Sequence, residues 1–252
     1  MRLLSRLSAI IQPRPRQSER PAGRGGAHSE LDSVFARDGV VYLPALFDPA
    51  FIGRINAEAD RIYAQRDAQA RKLLVKKGLL TRDELRSIAV AKMKLGGGRA
   101  LLPQLMNETI VGLARTYLGK EPVPHDDSYV RSQPPTHADS HLPFHQDQTI
   151  VGSKLVNIWI PLAECGRDAP GLEVVVGSGG QLMQPANPES GGVVERSRLD
   201  EKTVLANYPA KAIWHPLFSV GDVIIFTGDT IHRTYVAPGM ARSRASIDMR
   251  LV

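Results

Sequence analysis

One short segment of the sequence, Pro143–Asp147, places a histidine and a carboxylate two residues apart. Side chains alternate between the faces of an extended strand, so His145 and Asp147 would project the same way with Cα atoms roughly 7 Å apart. A second imidazole opposite them would give two histidines and one carboxylate on one face of an octahedral metal ion. That ligand set is typical of iron(II) oxygenases, and His232, far downstream, is the histidine that we pair with the segment.

Other interpretations of these histidines need to be weighed. A lone His-x-Asp pair is a weak signal, because most such pairs lie in surface loops or form a buried hydrogen bond. His137, His141 and His145 are spaced at four-residue intervals, which on a helix would suit zinc. Prolines in this segment oppose that helix, and no glutamate follows His141 as a metalloprotease helix requires. Only His145, together with Asp147, therefore remains a candidate ligand here.

The composition is that of a soluble globular protein. The chain has 252 residues, 42% hydrophobic and 23% charged, which suits one domain of ordinary size with a real core. No apolar run approaches the roughly 20 residues of a membrane-spanning helix. The single cysteine, Cys165, excludes an intramolecular disulfide and fits a reducing compartment. We therefore predict a cytoplasmic protein.

The net charge of +6 is concentrated at the N-terminus. Residues 1–26 contain six arginines and one glutamate, which leaves the rest of the chain at about +1. The basic charge therefore belongs to a tail, and no nucleic-acid partner is predicted. We predict a flexible tail over residues 1–28 and a single domain over residues 29–252. An apolar stripe in residues 3–11 leaves open an organelle-targeting segment, a membrane-surface anchor or a docking helix.

The first part of the domain is predicted to be mainly helical. A short helix ends at Gly39 and is followed by a buried strand, Val40–Leu43. Asp48 begins a second helix, since its side chain can cap it and a proline follows. Pro103 begins a later helix that ends at Gly119.

Beyond Gly119, short apolar runs separated by proline and glycine predict strands. Several short strands of this kind indicate a barrel or a two-sheet roll and not βαβ units. We therefore predict an α+β fold in which helices back one sheet of an antiparallel β core. The predicted strands are Tyr129–Arg131, Leu155–Leu162, Leu172–Val176, Val204–Ala206, Ile213–Trp214, Val223–Phe226 and Ala245–Leu251.

The last predicted strand separates polar from apolar side chains. Arg242, Arg244, Ser246, Asp248 and Arg250 share one parity, and the residues between the last four are apolar. An edge strand exposed to water explains this pattern. Alternatively, the apolar side packs under the helices and the polar side lines a barrel interior that holds a charged ligand. The position shortly after the second candidate histidine favours the barrel interior.

A set of motifs occurs in a specific order and spacing along the domain, although each motif is common by itself. The motifs are His145-Gln146-Asp147, Asn157–Leu162, Pro170–Ser178, Gly221–Phe226, His232 and Arg244-Ala245-Ser246. The set resembles the phytanoyl-CoA dioxygenase-like branch of the iron(II)/2-oxoglutarate oxygenases. The resemblance extends from about Asp38 to the C-terminus.

The resemblance implies a double-stranded β-helix, a cupin-like jelly roll, with iron(II) at one mouth of the barrel. By position, His145, Asp147 and His232 match the three iron ligands. Arg244 best matches the family's arginine that binds the distal carboxylate of 2-oxoglutarate. Ser246 matches the serine of the Arg-x-Ser pair in related oxygenases.

The chemistry of 2-oxoglutarate supports an arginine in that role. This dianion should chelate iron through its 1-carboxylate and keto oxygens, which leaves its 5-carboxylate buried in the barrel. A buried carboxylate needs a paired cation, and arginine supplies a permanently charged, bidentate fork. Arg242 has the same parity as Arg244 and stays an alternative. By resemblance, Asn157 and Trp159 border the pocket from one strand face, although a tryptophan there also fits a plain core.

The implied activity is that of an iron(II)/2-oxoglutarate-dependent dioxygenase. With O2, it would hydroxylate an unactivated C–H bond of a small-molecule or acyl substrate and release succinate and CO2. A halogenase needs a non-coordinating residue in place of the carboxylate, so Asp147 favours hydroxylation. Arg131 and Gln146 are candidate substrate-binding residues, and Arg131 could meet an anionic substrate.

Two further points limit what the resemblance implies. Many family members carry a histidine after the buried strand, where this chain has Gly177-Ser178-Gly179-Gly180. One fold also hosts many reactions, so membership does not name the substrate. The alternative function is a jelly-roll protein that binds metal or ligand without turnover.

Overall fold

The computed structural model describes residues 26–61, 93–94, 101–135, 141–189 and 196–252. The predicted tail, residues 1–28, lies almost entirely outside the described residues. The described chain begins inside helix α1, Gly26–Asp38. Its helices include none that is long and apolar enough to cross a membrane.

The chain leaves α1 through a glycine, as predicted. Gly39 adopts φ +70°, and its N–H donates to the carbonyl of Phe35 at 2.9 Å. A glycine reaches this left-handed conformation without steric cost and so ends the helix. Strand β1, Val40–Leu43, follows directly.

The helix predicted to start at Asp48 is also confirmed. Residues 49–61 form helix α2, and Asp48 Oδ1 accepts from the N–H groups of Ala50 and Phe51 at 2.8 and 3.2 Å. These bonds satisfy backbone donors that have no partner within the helix.

The single helix predicted from Pro103 to Gly119 is two helices. Helix α3, Leu102–Leu105, is short, and helix α4 is Glu108–Leu118. Asn107 separates them, because its side chain accepts from the Ile110 N–H at 3.0 Å and caps α4. A capping asparagine competes with the helical pattern around it, which a hydrophobic repeat alone does not reveal.

The β core consists of two antiparallel sheets. The strands described after β1 are β2 (Met93–Lys94), β3 (Tyr129–Gln133), β4 (Val156–Pro161), β5 (Gly171–Val175), β6 (Ile213–Trp214), β7 (Val223–Thr227), β8 (His232–Tyr235) and β9 (Arg244–Leu251). In the described residues the larger sheet has the order β1-β7-β4-β9-β3-β2, and the smaller has the order β6-β5-β8.

Alternate residues of the larger sheet pack on opposite sides. Ile225 and Ile247 belong to a core that also contains the buried side chains of α1, α2 and α4. Ile224 and Phe226 belong to a second core, together with Val174 of the smaller sheet. Helices therefore back the larger sheet, and the smaller sheet covers its other face, which confirms the predicted α+β fold with a jelly-roll core.

One strand prediction was wrong, and two of the described strands, β2 and β8, were not predicted. Val204–Ala206, predicted as a strand, lies in a helix that spans Glu201–Asn207 and is capped by Asp200, whose carboxylate accepts from the Thr203 N–H at 2.9 Å. Strand β8 was not predicted, because its sequence, His-Arg-Thr-Tyr, lacks an apolar run. The first residue of β8 is His232, so the missed strand carries one of the candidate ligands.

Candidate metal centre

The structure brings His145, Asp147 and His232 together, although not on one strand. His145 and His232 form a two-residue antiparallel bridge, with N–H to carbonyl distances of 3.0 and 3.1 Å. The chain then turns into a short helix, Asp147–Val151. The extended strand predicted through His145 and Asp147 is therefore wrong. The carboxylate is presented from the first turn of a helix.

The three side chains form a compact, buried cluster. One ligand atom from each lies within 4.8 Å of the others. The distance from His145 Nε2 to Asp147 Oδ1 is 3.5 Å, and that from His232 Nε2 to Asp147 Oδ2 is 3.9 Å. Each residue is at most 5% exposed.

Both imidazoles are held in the same tautomer by backbone carbonyls. Nδ1 of His145 lies 2.7 Å from the Pro143 carbonyl oxygen, and Nδ1 of His232 lies 2.9 Å from that of Thr230. A carbonyl oxygen only accepts, so each Nδ1 carries the proton. The lone pair of each neutral ring is therefore on Nε2, the atom that faces the carboxylate.

Asp147 is ionised by its surroundings. Burial alone would raise the pKa of this carboxyl group, but Arg250 and the two histidines outweigh it and hold the pKa well below its ordinary value. Arg250 donates from Nε and Nη2 to Oδ2, at 3.0 and 2.9 Å. Oδ1 is buried and accepts no hydrogen bond from any residue in the described ranges.

Burial keeps the His232 imidazole neutral. Burial and the neighbouring His145 lower the pKa of His232 to about 3. A charged imidazolium would be costly in this enclosed position. The Nε2 atoms of the two imidazoles and one carboxylate oxygen without a hydrogen-bond partner among the described residues thus lie close together. This donor set fits an iron(II) ion.

The cluster opens into a pocket that is lined from both sheets. The larger sheet contributes Asn157 and Trp159 of β4, Arg244 and Arg250 of β9, and Arg131 of β3. The smaller sheet contributes Leu172 of β5 and Thr234 of β8. Arg244, Asp248 and Arg250 of β9 line the pocket, while Ile247 and Leu251 belong to the core that also contains the buried side chains of the helices. This arrangement confirms the barrel-interior interpretation of the last strand.

The sequence profile of the phytanoyl-CoA dioxygenase family matches residues 35–236. The chain belongs to this family of iron(II)/2-oxoglutarate-dependent oxygenases. No curated protein sequence matches the chain.

Three solved structures illustrate the fold that this chain shares. The epimerase SnoN, in complex with Fe3+, alpha ketoglutarate and nogalamycin RO, is 16% identical, with 90% of this chain and 84% of that chain covered and a TM-score of 0.62. EvdO2 from Micromonospora carbonacea var. aurantiaca, complexed with 2-oxoglutarate, is 12% identical, with coverage of 87% and 88% and a TM-score of 0.55. SnoK, an alpha ketoglutarate dependent carbocyclase from nogalamycin biosynthesis, is 14% identical, with coverage of 92% and 87% and a TM-score of 0.58.

Of the two arginines predicted for 2-oxoglutarate, Arg244 lines the pocket beside the metal cluster and Arg242 does not. Arg244 is 2% exposed, its Nη1 donates to the Gly171 carbonyl at 3.1 Å, and its guanidinium carbon lies 5.0 Å from the centroid of the Trp159 ring. Arg242 is exposed and lines a separate depression beside Glu164. The geometry therefore favours Arg244.

The other predicted site residues divide into two groups. Asn157 lines the pocket, and its buried Nδ2 has no hydrogen-bond partner among the described residues. Ser246 is fully buried, and its Oγ donates to Asp248 Oδ1 at 3.0 Å. Asn157 thus presents an available donor, whereas the Ser246 hydroxyl is occupied in this structure.

Gln146 does not reach the pocket in the structure. Its Nε2 donates to the carbonyls of Gln181 and Asp229, and its Oε1 accepts from the Met183 N–H at 2.8 Å. Gln146 is completely buried, and these bonds tie the metal segment to two loops. The predicted substrate contact is therefore not supported, and the geometry assigns Gln146 a structural role.

The glycine-rich segment that departs from the family pattern is anchored behind the metal ligands. Ser178 Oγ accepts from the Ile231 N–H at 2.8 Å, and the Gly180 N–H donates to Asp229 Oδ2 at 2.8 Å. The segment therefore positions the residues that precede His232, but it supplies no imidazole.

Sequence reasoning missed the role of Arg250. The sequence placed Arg250 on the polar face of β9 but did not identify Asp147 as its partner. The sequence did offer an indication of a role, because Arg250 is a second arginine on the polar face of β9, in addition to the arginine predicted to bind 2-oxoglutarate.

Proposed function

We propose that this protein is an iron(II)/2-oxoglutarate-dependent hydroxylase acting on an unactivated C–H bond of a small-molecule or acyl substrate. The observation that carries the proposal is the convergence of His145, Asp147 and His232 in one buried pocket, with Nε2, Nε2 and Oδ1 available to a metal. The buried Arg244 on the wall of the same pocket supports a co-substrate site, and it favours an enzyme over a jelly-roll protein that binds metal or ligand without turnover.

The three residues would hold iron(II). When bound, iron and 2-oxoglutarate supply the oxidising chemistry, in which dioxygen is consumed and 2-oxoglutarate is converted to succinate and CO2. The backbone carbonyls of Pro143 and Thr230 orient the two imidazoles, and Arg250 keeps Asp147 ionised. A coordinating carboxylate at position 147 favours hydroxylation over halogenation.

Arg244 would bind the 5-carboxylate of 2-oxoglutarate. The side chain is buried in the pocket wall, and the Gly171 carbonyl and the Trp159 ring restrict its orientation. A prearranged guanidinium offers a carboxylate two charge-assisted hydrogen bonds at little entropic cost. Asn157 Nδ2 is an additional neutral donor on the same wall.

The substrate would enter beside apolar and cationic groups. Leu142 and Leu172 line the pocket together with Arg131, which is 9% exposed. These residues support a largely apolar substrate that carries an anionic group. The protein's part is to exclude water from the reacting bond and to place that bond at the metal.

A second outcome of the same site is oxidation without net hydroxylation. The structures of the same fold include an epimerase and a carbocyclase. Both of these enzymes are non-heme and alpha ketoglutarate dependent. Once a substrate is known, 18O2 labelling distinguishes the outcomes, because only hydroxylation adds labelled oxygen to the product.

The proposal is tested by co-substrate turnover. Protein incubated aerobically with iron(II), ascorbate and 2-oxoglutarate should release succinate slowly, even without the substrate. Under anaerobic conditions, iron(II) and 2-oxoglutarate together should produce a visible metal-to-ligand absorption band. If neither succinate release nor the absorption band is observed, the oxygenase proposal is overturned.

The ligand assignment is tested separately. Replacing His232 or Asp147 with alanine should lower succinate formation at least about 100-fold, since each removes a metal bond. The circular dichroism spectrum should be unchanged. A variant as active as the parent would show that the ligand set is wrong.

A further inference from the structure

Arg250 lies beside the metal cluster at the end of β9. The residue is 5% exposed, and its guanidinium reaches two carboxylates. Nε and Nη2 donate to Asp147 Oδ2, and Nη1 donates to the Asp127 carbonyl and lies 3.4 Å from Asp127 Oδ2. All three guanidinium nitrogens therefore have assigned acceptors.

The loop before β3 holds Arg250 in place. The Arg250 N–H donates to Ser128 Oγ at 3.0 Å, and the His125 N–H donates to the Arg250 carbonyl at 2.8 Å. Ser128 Oγ in turn donates to the His125 carbonyl at 2.8 Å. The guanidinium thus approaches Asp147 from a backbone that is fixed on both sides, and it needs little reordering to hold the carboxylate.

The two oxygens of Asp147 are consequently not equivalent. Oδ2 accepts both hydrogen bonds from Arg250, which occupies its lone pairs. Oδ1 lies 3.5 Å from His145 Nε2, and none of the residues in the described ranges donates a hydrogen bond to it. A carboxylate pinned at one oxygen cannot easily rotate to chelate an ion with both.

We propose that Arg250 is a positioning residue that restricts Asp147 to a single metal-binding oxygen and so keeps open the coordination positions that 2-oxoglutarate requires. This inference rests on the proposed function, since it concerns the same metal centre. Without Arg250, Asp147 would be free to bind the ion through both oxygens and to fill one more position.

The test counts the water molecules on a bound manganese(II) ion. Manganese(II) accepts the same nitrogen and oxygen ligands and strongly relaxes the protons of coordinated water. Three protein ligands on an octahedral ion leave three positions for water. Replacing Arg250 with methionine removes both hydrogen bonds to Oδ2, so the proton relaxivity per bound manganese should fall by about a third.

Two further variants make the measurement specific. Arg250→Lys keeps a cation that can bind Oδ2 through one bond, and its relaxivity should lie between those of wild type and Arg250→Met. Arg115→Met is the matched control. It removes an arginine that donates two hydrogen bonds to Glu121, at 2.7 and 2.9 Å, on the exposed surface, and it should leave the relaxivity unchanged.

The outcomes distinguish this inference from the proposed function. Wild-type relaxivity in every folded Arg250 variant would overturn the role of Arg250, whether or not the protein releases succinate. If Arg250→Met does not fold, Arg250→Lys alone decides, and wild-type hydration in that variant overturns the inference. A wild-type protein that binds no manganese overturns the inference as well. If the Arg250 variants change the manganese hydration as expected but the wild-type protein releases no succinate, Arg250 remains a positioning residue and the oxygenase proposal is overturned.

Discussion

At the scale of single residues, each candidate ligand obtains its chemical state from a neighbour. Pro143 and Thr230 set the imidazole tautomers, and Arg250 sets the charge of Asp147. Pro143 and Thr230 act through backbone carbonyls, which a substitution retains. Replacing Arg250, which acts through its side chain, would therefore alter the metal centre while leaving the ligand residues present.

Arg244 and Arg242 provide a direct test of co-substrate binding. Replacing Arg244 with methionine should raise the KM for 2-oxoglutarate about 10- to 100-fold, because a charge-assisted hydrogen-bonded pair contributes roughly 1.5–3 kcal/mol. Initial rates of succinate formation across 2-oxoglutarate concentrations measure the effect.

Arg242→Met is the matched control for that prediction. Arg242 has the same strand parity in the sequence but is exposed outside the pocket. The KM for 2-oxoglutarate should stay within about twofold of the wild-type value. A larger effect from Arg242 than from Arg244 would reverse the assignment of the two arginines.

At the scale of secondary-structure elements, tight glycine turns bring the helices onto the sheets. The turn between α1 and β1 is an example, because Gly39 lies against the segment that leads into His232. A Cβ atom at Gly39 would lie 2.7 Å from Thr230 Oγ1. Thr230 supplies the carbonyl that orients the His232 ring, so this turn connects the helical layer to the metal centre.

The contribution of that close approach can be measured with a pair of glycine variants. Gly39→Ala and Gly119→Ala both place alanine at a positive φ, +70° and +72°, which costs about 1–2 kcal/mol of unfolding free energy. Gly119 has open space around its Cβ position, whereas Gly39 does not. Gly39→Ala should therefore be the more destabilising by about 1–3 kcal/mol in urea unfolding. Equal losses would show that Thr230 moves away without cost.

Most elements were predictable from local patterns, and the exceptions have physical reasons. Alternating or continuous apolar runs identified β4, β7 and β9, since buried strands need apolar side chains. β8 was missed because its polar residues line the pocket. The prediction of a strand at Val204–Ala206 was wrong because these apolar residues belong to a capped helix. That helix is too short for the helical spacing of its apolar residues to be recognised.

At the scale of the whole molecule, the pocket is enclosed by the packing of one sheet against the other. Val40, Trp159 and Phe226 of the larger sheet and Leu172 and Val174 of the smaller belong to one buried cluster. Cys165 belongs to the same cluster and is 5% exposed. Its thiol therefore reports on whether the two sheets remain closed.

We predict that Cys165 is unreactive in the folded protein. Burial raises the pKa of this thiol to about 12, although Arg244 partly opposes the shift. At pH 8, reaction with a thiol-specific disulfide reagent should be at least about 100-fold slower than that of a free cysteine, because the thiolate is the nucleophile. One thiol per chain should react rapidly once urea unfolds the protein. Rapid reaction of the native protein would show that the sheets open readily.

The same thiol gives stability a defined pH dependence. Because its pKa is higher in the folded state, its contribution is fully present below the unfolded pKa near 9 and is lost as the pH rises toward about 12. Urea unfolding between pH 8 and pH 11 should show falling stability. A Cys165→Ala variant should lose part of that slope, and an unchanged slope would assign the pH dependence to other groups.

By itself, the sequence determined the class of fold, most of its elements and the candidate ligands. The separation of polar and apolar side chains onto opposite faces of β9 was also evident from the sequence, because residues two apart must share a face of any strand. These properties depend on side-chain type and on short-range geometry, which the order of residues specifies directly.

Only the tertiary structure decided how the ligands are prepared. Asp147 and Arg250 are 103 residues apart, and nothing local to either indicates that one oxygen of the carboxylate is held while the other is available. Their meeting depends on the register of β9 beside β4 and on the loop that holds Arg250. Such long-range contacts result from the packing of the whole core, where many weak interactions act together.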